Sequence, residues 1–160
     1  KEQGCLLVKG IRDMVQRLTI NGVSVEEIPV NEIGYAYTTI EPDLQVIRNK
    51  SYSDWIPADV YLALRNSSAT LYMFYKEDAY IGFVVCSLIS DPSGEPTLFV
   101  WATYQKPEYN YVKAGFDFLD KLALEKNVRT IEFHTSRPGW AKTATANGFN
   151  LTSYVYKKEV

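Results

Sequence analysis

Histidine and cysteine are scarce. The 160 residues hold one histidine, His134, and two cysteines, Cys5 and Cys86. A zinc-type centre draws several ligands from these residue types, so no metal site is expected. Two cysteines make no disulfide framework; both read as free thiols of a reducing compartment, with Cys86 packing in an apolar strand. Basic runs are short, since none exceeds Lys157-Lys158, and the net charge is −2. Nucleic acid requires a concentrated positive footprint, so direct DNA or RNA binding is disfavoured. No apolar run reaches the roughly 18 residues of a membrane span, and no signal peptide is visible. A soluble, cytoplasmic chain is the expectation.

What the chain has instead is aromatic. Hydrophobic residues make up 46% and aromatics 14%, which suits one packed domain. The twelve tyrosines recur along probable strands. An apolar ring with a polar tip fits a half-buried sheet surface or an interface.

Leu7, Ile11, Met14, Val15 and Leu18 have helical spacing, which predicts an N-terminal helix to about Leu18 and a turn at Asn21-Gly22. The competing reading is a hairpin over residues 18–25, because Asn-Gly is the strongest short turn signal. Residues 23–30 alternate as a strand. Asn31 is placed to cap a helix from Glu32 to about Ile40, and Pro42 to break it and start a second piece. Pro57 suits the first turn of a further helix, to about Arg65. Period two then takes over: Leu71, Met73 and Tyr75 share one face, as do Ile81, Phe83 and Val85. A third strand follows over 98–104. Val112, Phe116, Leu119, Leu122 and Ala123 mark a long helix ended by Asn127. Strand 128–135, a short helix opened by Ser136 and Pro138 and closed by Gly148, and a last strand 151–157 complete the chain. Strands before and after long helices argue for a mixed, mostly antiparallel sheet flanked by helices.

Three stretches carry a family resemblance: Tyr80-Ile-Gly-Phe-Val-Val85, Leu122-Ala-Leu-Glu-Lys-Asn-Val128 and Asn147-Gly-Phe149. Their order and spacing resemble the GNAT acyltransferase superfamily. The resemblance implies a GNAT-like α/β domain over 23–160, with residues 1–22 as an N-terminal extension. Arg137-Pro-Gly-Trp-Ala141 and Leu71-Tyr-Met-Phe74 further resemble small GNAT-like proteins of tailed bacteriophages, some of them internal virion components.

That resemblance implies sites, and two of them are degenerate. The acetyl-CoA pyrophosphate normally rests on a Gly-rich turn at the start of the long helix, where backbone N–H groups face an anion. Here the turn is Lys106-Pro-Glu-Tyr-Asn-Tyr111, without glycine and with Glu108 opposing the anion; Gly115 falls inside the helix. The family's Tyr general acid falls at Ala144, between Thr143 and Thr145. The candidate cofactor-binding residues are Val100, Trp101, Ala102, Thr103, Asn110 and Tyr111. Should catalysis remain, Glu132, His134 and Tyr104 are the candidates for moving protons. A Glu132–His134 pair equally suits a half-exposed hydrogen bond. Trp140 reads as core or groove lining, Arg137 as a salt-bridge partner, Tyr154 and Tyr156 as one sheet face. Glu26 and Glu27 are placed to accept an amine's proton or merely to be solvated.

The expected function is a virion-associated structural or interaction component with protein partners, a homo-oligomer or virion assembly among them. It would use no cofactor or bind acetyl-CoA weakly, and would be found in the host cytoplasm and the virion. The alternative is an acetyl-CoA-dependent N-acetyltransferase of an unidentified amine.

Overall fold

The computed structural model describes residues 17–51 and 54–160. Of the apolar stripe at the N-terminus, Leu7, Ile11, Met14 and Val15 lie outside the described residues. The described part opens on the hairpin, not on a helix reaching Leu18. Strand β1, Arg17–Ile20, pairs antiparallel with β2, Val23–Ile28. Asn21 and Gly22 both have positive φ, 50° and 77°, the combination a two-residue type I′ turn demands. The turn chemistry overrides helical spacing here, and Ile20 is drawn into the core.

A short 3-10 turn, Val30–Glu32, leads into helix α1, Ile33–Lys50. Neither expectation for this stretch holds. Asn31 is not the cap, and Pro42 lies within one continuous helix. Proline inside a helix removes one hydrogen bond and crowds the preceding turn, at about 3 kcal/mol. Ile33, Ala36, Ile40 and Leu44 are buried on one stripe that spans the proline. Burial at roughly 1.5–3 kcal/mol for each large side chain offsets that cost. Helix α2, Pro57–Arg65, starts as expected, with Asp59 accepting the Ile56 N–H at 2.8 Å.

Strands β3 (Thr70–Lys76), β4 (Ala79–Ser90) and β5 (Pro96–Gln105) extend the meander. Helix α3, Val112–Glu125, crosses to β6, Thr130–Phe133, which runs parallel to β5. The six strands lie in chain order, β1 to β6. Helix α4, Trp140–Ala146, begins two residues beyond Pro138, and Ser136 does not cap it. Asn127 and Gly148 end α3 and α4 with positive φ, 54° and 83°. The expected last strand does not form. Residues 150–160 are exposed and outside any element, since period-two alternation supplies no hydrogen-bonding neighbour. Tyr154 and Tyr156 therefore face water, not a shared sheet face.

Two cores sandwich the sheet. Leu71, Met73, Phe83, Val85 and Ala102 meet the buried stripe of α1 and α2. Tyr72, Phe74, Val84, Leu98 and Val100 meet Ala114, Phe118 and Leu122 of α3. Ile81 belongs to this second core, not with Phe83 and Val85. The register slips there, since Phe74 faces Gly82 while Tyr75 faces Tyr80, and the extra residue reverses its side. Val112 is half-exposed, so the buried face of α3 begins at Ala114. No helix among the described residues is long and apolar enough to cross a membrane.

Candidate functional site

Strand β5 parts from β6 halfway along. Their pairing runs from Thr97↔Thr130 to Val100↔Phe133 and stops, while β5 continues to Gln105. The cause lies on the other side of β5. Val85 faces Ala102 but Cys86 faces Val100, which leaves Trp101 as an extra residue. Such a bulge bends its strand and increases the twist. The bend falls where β6 is left behind, which leaves a gap in the strand pairing beside residues 101–105. Gly82 brings β4 close on the opposite flank. A Cβ there would lie 2.3 Å from the Tyr104 carbonyl oxygen, so only glycine fits.

Four of the candidate cofactor residues therefore sit at the mouth of the gap. Val100 is the last paired residue, and its side chain is buried on the α3 side. Trp101 is half-buried and meets Trp55 edge-on at 6.3 Å. Ala102 is buried on the α1 side. Thr103 is exposed, and its hydroxyl donates to the Phe83 carbonyl at 3.3 Å.

The other two lie at the entry to α3. The Gln105 side chain organises this turn. Its amide nitrogen donates to the Tyr109 carbonyl, and its oxygen accepts the Tyr111 N–H at 2.8 Å. Tyr109 and Tyr111 stack at 6.0 Å. The Tyr111 N–H is thus already used within the protein. The first N–H groups of α3 have no side-chain cap and no acidic residue in their turn. Asn110 and Glu108 are exposed beside them, and Gly115 lies in the helix with open space around it. At this helix start the Tyr111 N–H is committed to Gln105, and the Glu108 carboxylate is exposed nearby.

The three candidate proton carriers are not brought together. The His134 Nε2 lies 2.7 Å from a Glu132 carboxylate oxygen, at the exposed edge of the sheet. Phe99 meets the imidazole edge-on at 5.2 Å. Tyr104 lies five residues beyond Phe99, the partner of Glu132, or about 15 Å along the strand. It turns instead toward Asp43 of α1. Asp43 accepts the Tyr80 hydroxyl at 2.7 Å. Burial, then the hydrogen bond to Asp43, holds the Tyr80 phenol well above its usual pKa. The Tyr104 phenol is raised by burial first, then by the charges of Asp43 and Glu108, with a hydrogen bond to Asp43 as well. The Lys106 ammonium sits 5.2 Å from the centre of the Tyr80 ring.

Sequence reasoning missed Asp43. The available signal was its place on α1, three residues after buried Ile40 and next to buried Leu44, where a carboxylate needs a partner. Elsewhere the outcomes are mixed. Trp140 packs in an aromatic cluster, 5.8 Å from Phe133 and 6.4 Å from Phe116. Arg137 is exposed and makes no ion pair with a described carboxylate, contrary to expectation. Glu26 is paired with Arg17, and Glu27 stands opposite Tyr72 across β2 and β3. Ala144 and its neighbours lie in α4, where Thr145 bonds back to the Ala141 carbonyl at 3.0 Å. Burial pushes the Cys86 thiol up to about 12.

No protein-family model and no curated protein matches this sequence. Solved structures do match in shape. A predicted acetyltransferase from Clostridium acetobutylicum, solved with acetyl-CoA, has a TM-score of 0.63 at 15% identity, covering 86% of this chain and 96% of that one. The ribosomal-protein-alanine N-acetyltransferase of Brucella melitensis biovar Abortus 2308 gives 0.61 at 15%, covering 86% and 100%. An aminoglycoside acetyltransferase from an uncultured soil metagenomic sample, in complex with sisomicin, gives 0.61 at 11%, covering 87% and 98%. Identities this low speak for shape alone, and the shape is the mixed sheet and flanking helices of the GNAT acetyltransferases.

Proposed function

We propose that this protein is an acetyl-CoA-dependent N-acyltransferase acting on an amine. The observation that carries the reading is the parting of β5 from β6 at the Trp101 bulge. It leaves strand-like backbone groups of residues 101–103 facing a gap, where an amide-bearing arm can hydrogen-bond as a neighbouring strand would. The unpaired stretch ends at Gln105, whose side chain bonds the turn before α3, so a phosphate end and a thioester end can lie along one line. Acetyl-CoA brings the acyl thioester. The chain orients it along β5, excludes water with Trp101 and Trp55, and offers carboxylates on the α1 side to the amine. Of the candidate proton carriers, the Tyr104 phenol lies on this stretch of β5, while Glu132 with His134 lies apart at the exposed edge of the sheet.

A second reading is a binding protein that has lost efficient transfer. The Tyr111 N–H spent on Gln105 favours it, as does Ala144 where the family's phenol would stand. Under it the chain acts through protein partners, and the phage-like Arg137-Pro-Gly-Trp-Ala141 motif points to a virion or its assembly.

Calorimetry with acetyl-CoA and a thiol-release assay with an amine panel separate the two. The loss of charge-assisted hydrogen bonds at the turn, each about 1.5–3 kcal/mol, sets an expected dissociation constant of roughly 0.1 mM or weaker. Amine-dependent thiol release supports the enzyme. Absence of release with every amine, at saturating acetyl-CoA, overturns it.

A further inference from the structure

The acyltransferase reading leaves its acceptor unnamed, and the α1 side of the gap narrows it. Asp43 is half-buried and has two phenols turned toward it, Tyr80 from β4 and Tyr104 from β5. A carboxylate has about four lone-pair sites, so two phenols do not saturate it. Tyr104 belongs to the stretch of β5 that β6 no longer covers. The spot already attracts an ammonium, since that of Lys106 rests over the Tyr80 ring at 5.2 Å. Charge there favours cations: Asp43 and Glu108 both act on Tyr104, against the single Lys106. Most of the partly buried side chains packed on the same core are aromatic, with Trp55 against Trp101 at 6.3 Å and Tyr37 against Tyr61 at 4.7 Å.

We propose that Asp43, Tyr80 and Tyr104 form a binding site for the ammonium of a small amine whose carrier is aromatic or apolar and bears no carboxylate. The proposal rests on the acyltransferase reading for its place in a reaction. In that reaction Asp43 takes one proton from R–NH3+. The freed amine attacks the thioester carbonyl, the C–N bond forms and the C–S bond breaks. The nitrogen's second surplus proton goes to the leaving sulfur, giving the amide and free thiol, with one proton released from Asp43 to water. A free amino acid is disfavoured, because its carboxylate would face Asp43 and Glu108.

Binding can be read without catalysis, by calorimetry on the full chain with three probes. Phenethylamine carries the ammonium, phenylalanine adds a carboxylate, and 2-phenylethanol has no charge. Phenethylamine is expected to bind at least tenfold tighter than either of the others. Asp43→Asn should remove that preference. Lys106→Met should raise affinity for phenethylamine severalfold, because it frees the Tyr80 ring and leaves Asp43 unopposed; a purely structural role for the cluster would not do this. Equal binding of all three probes by the unaltered protein overturns the proposal, and so does a preference that survives Asp43→Asn in a variant with a normal thermal melt. If phenethylamine binds with this selectivity but no thiol is released, the acyltransferase reading fails and the ammonium site stands.

Discussion

Gly82 shows how much a single position can decide. Its missing Cβ lets β4 pass close to the Tyr104 carbonyl, and that carbonyl is backbone, which cannot swing aside. Gly82→Ala should therefore cost several kcal/mol or prevent folding, in the class of severe overpacking changes. Gly115→Ala, with open space around it, should stabilise α3 by up to about 1 kcal/mol. Thermal melts of the two variants test the contrast, and a Gly82→Ala protein as stable as the parent would refute it. Ionisable residues set a second limit. Burial raises the Cys86 thiol from 9.0 to about 12, and the Tyr72 and Tyr80 phenols lie above the ordinary 10.0. In each case the folded state holds its proton more tightly than the unfolded chain. Their contribution to stability is intact below pH 9 and is lost progressively as pH climbs through the raised values. Melting temperature should be flat from pH 7 to 9 and fall above it; a rise between pH 9 and 11 would contradict the burial of these groups.

At the scale of elements, Pro42 is the clearest case of competition. Local chemistry says stop, and the buried stripe of α1 says continue. Pro42→Ala should restore a helical hydrogen bond at an exposed position and raise the melting temperature by several degrees. An unchanged melt would mean that the helix had already relaxed around the ring. The same competition explains what was legible in the sequence. The β3–β4 and β4–β5 connections, α2 and α3 were readable because pattern and punctuation agree there. At the N-terminal hairpin, 3.6-residue spacing and the Asn-Gly turn point to different structures up to Leu18, and the turn prevails. Residues 151–157 alternate like a strand but have no neighbour to pair with, and a neighbour is a property of the whole sheet. For the site, the degenerate α3 turn was visible as missing glycines. Glu132 and His134 were correctly expected to pair. The Asp43 cluster joins α1 to two strands, 37 residues away at Tyr80 and farther at Tyr104, and no local spacing encodes that contact.

For the whole molecule, the sequence spacing of Leu7, Ile11, Met14 and Val15 raises a question of partners. Both sheet faces already carry helices. We propose that these apolar side chains, each gaining about 1.5–3 kcal/mol when fully covered, contribute to a contact between molecules. Sedimentation of the full chain against a chain beginning at Arg17, which retains β1, tests this. Two equally monomeric species, with the shorter one melting several degrees lower, would place the stripe inside its own domain. The strand order has a consequence of another kind. Strands β3, β4 and β5 follow one another through short turns, whereas β3 is reached from β2 through α1 and α2, and β6 from β5 through α3. Pairing through short turns costs little loop entropy, so the β3–β4–β5 meander can assemble early while β6 and the segment after it must wait for α3. The joint between the early and the late parts is the Val100–Trp101 region, the very place where the gap opens. Amide hydrogens of β3 and β4 should exchange slowest and those of β6 markedly faster, so that one wall of the cleft is rigid while the other can breathe to admit a ligand.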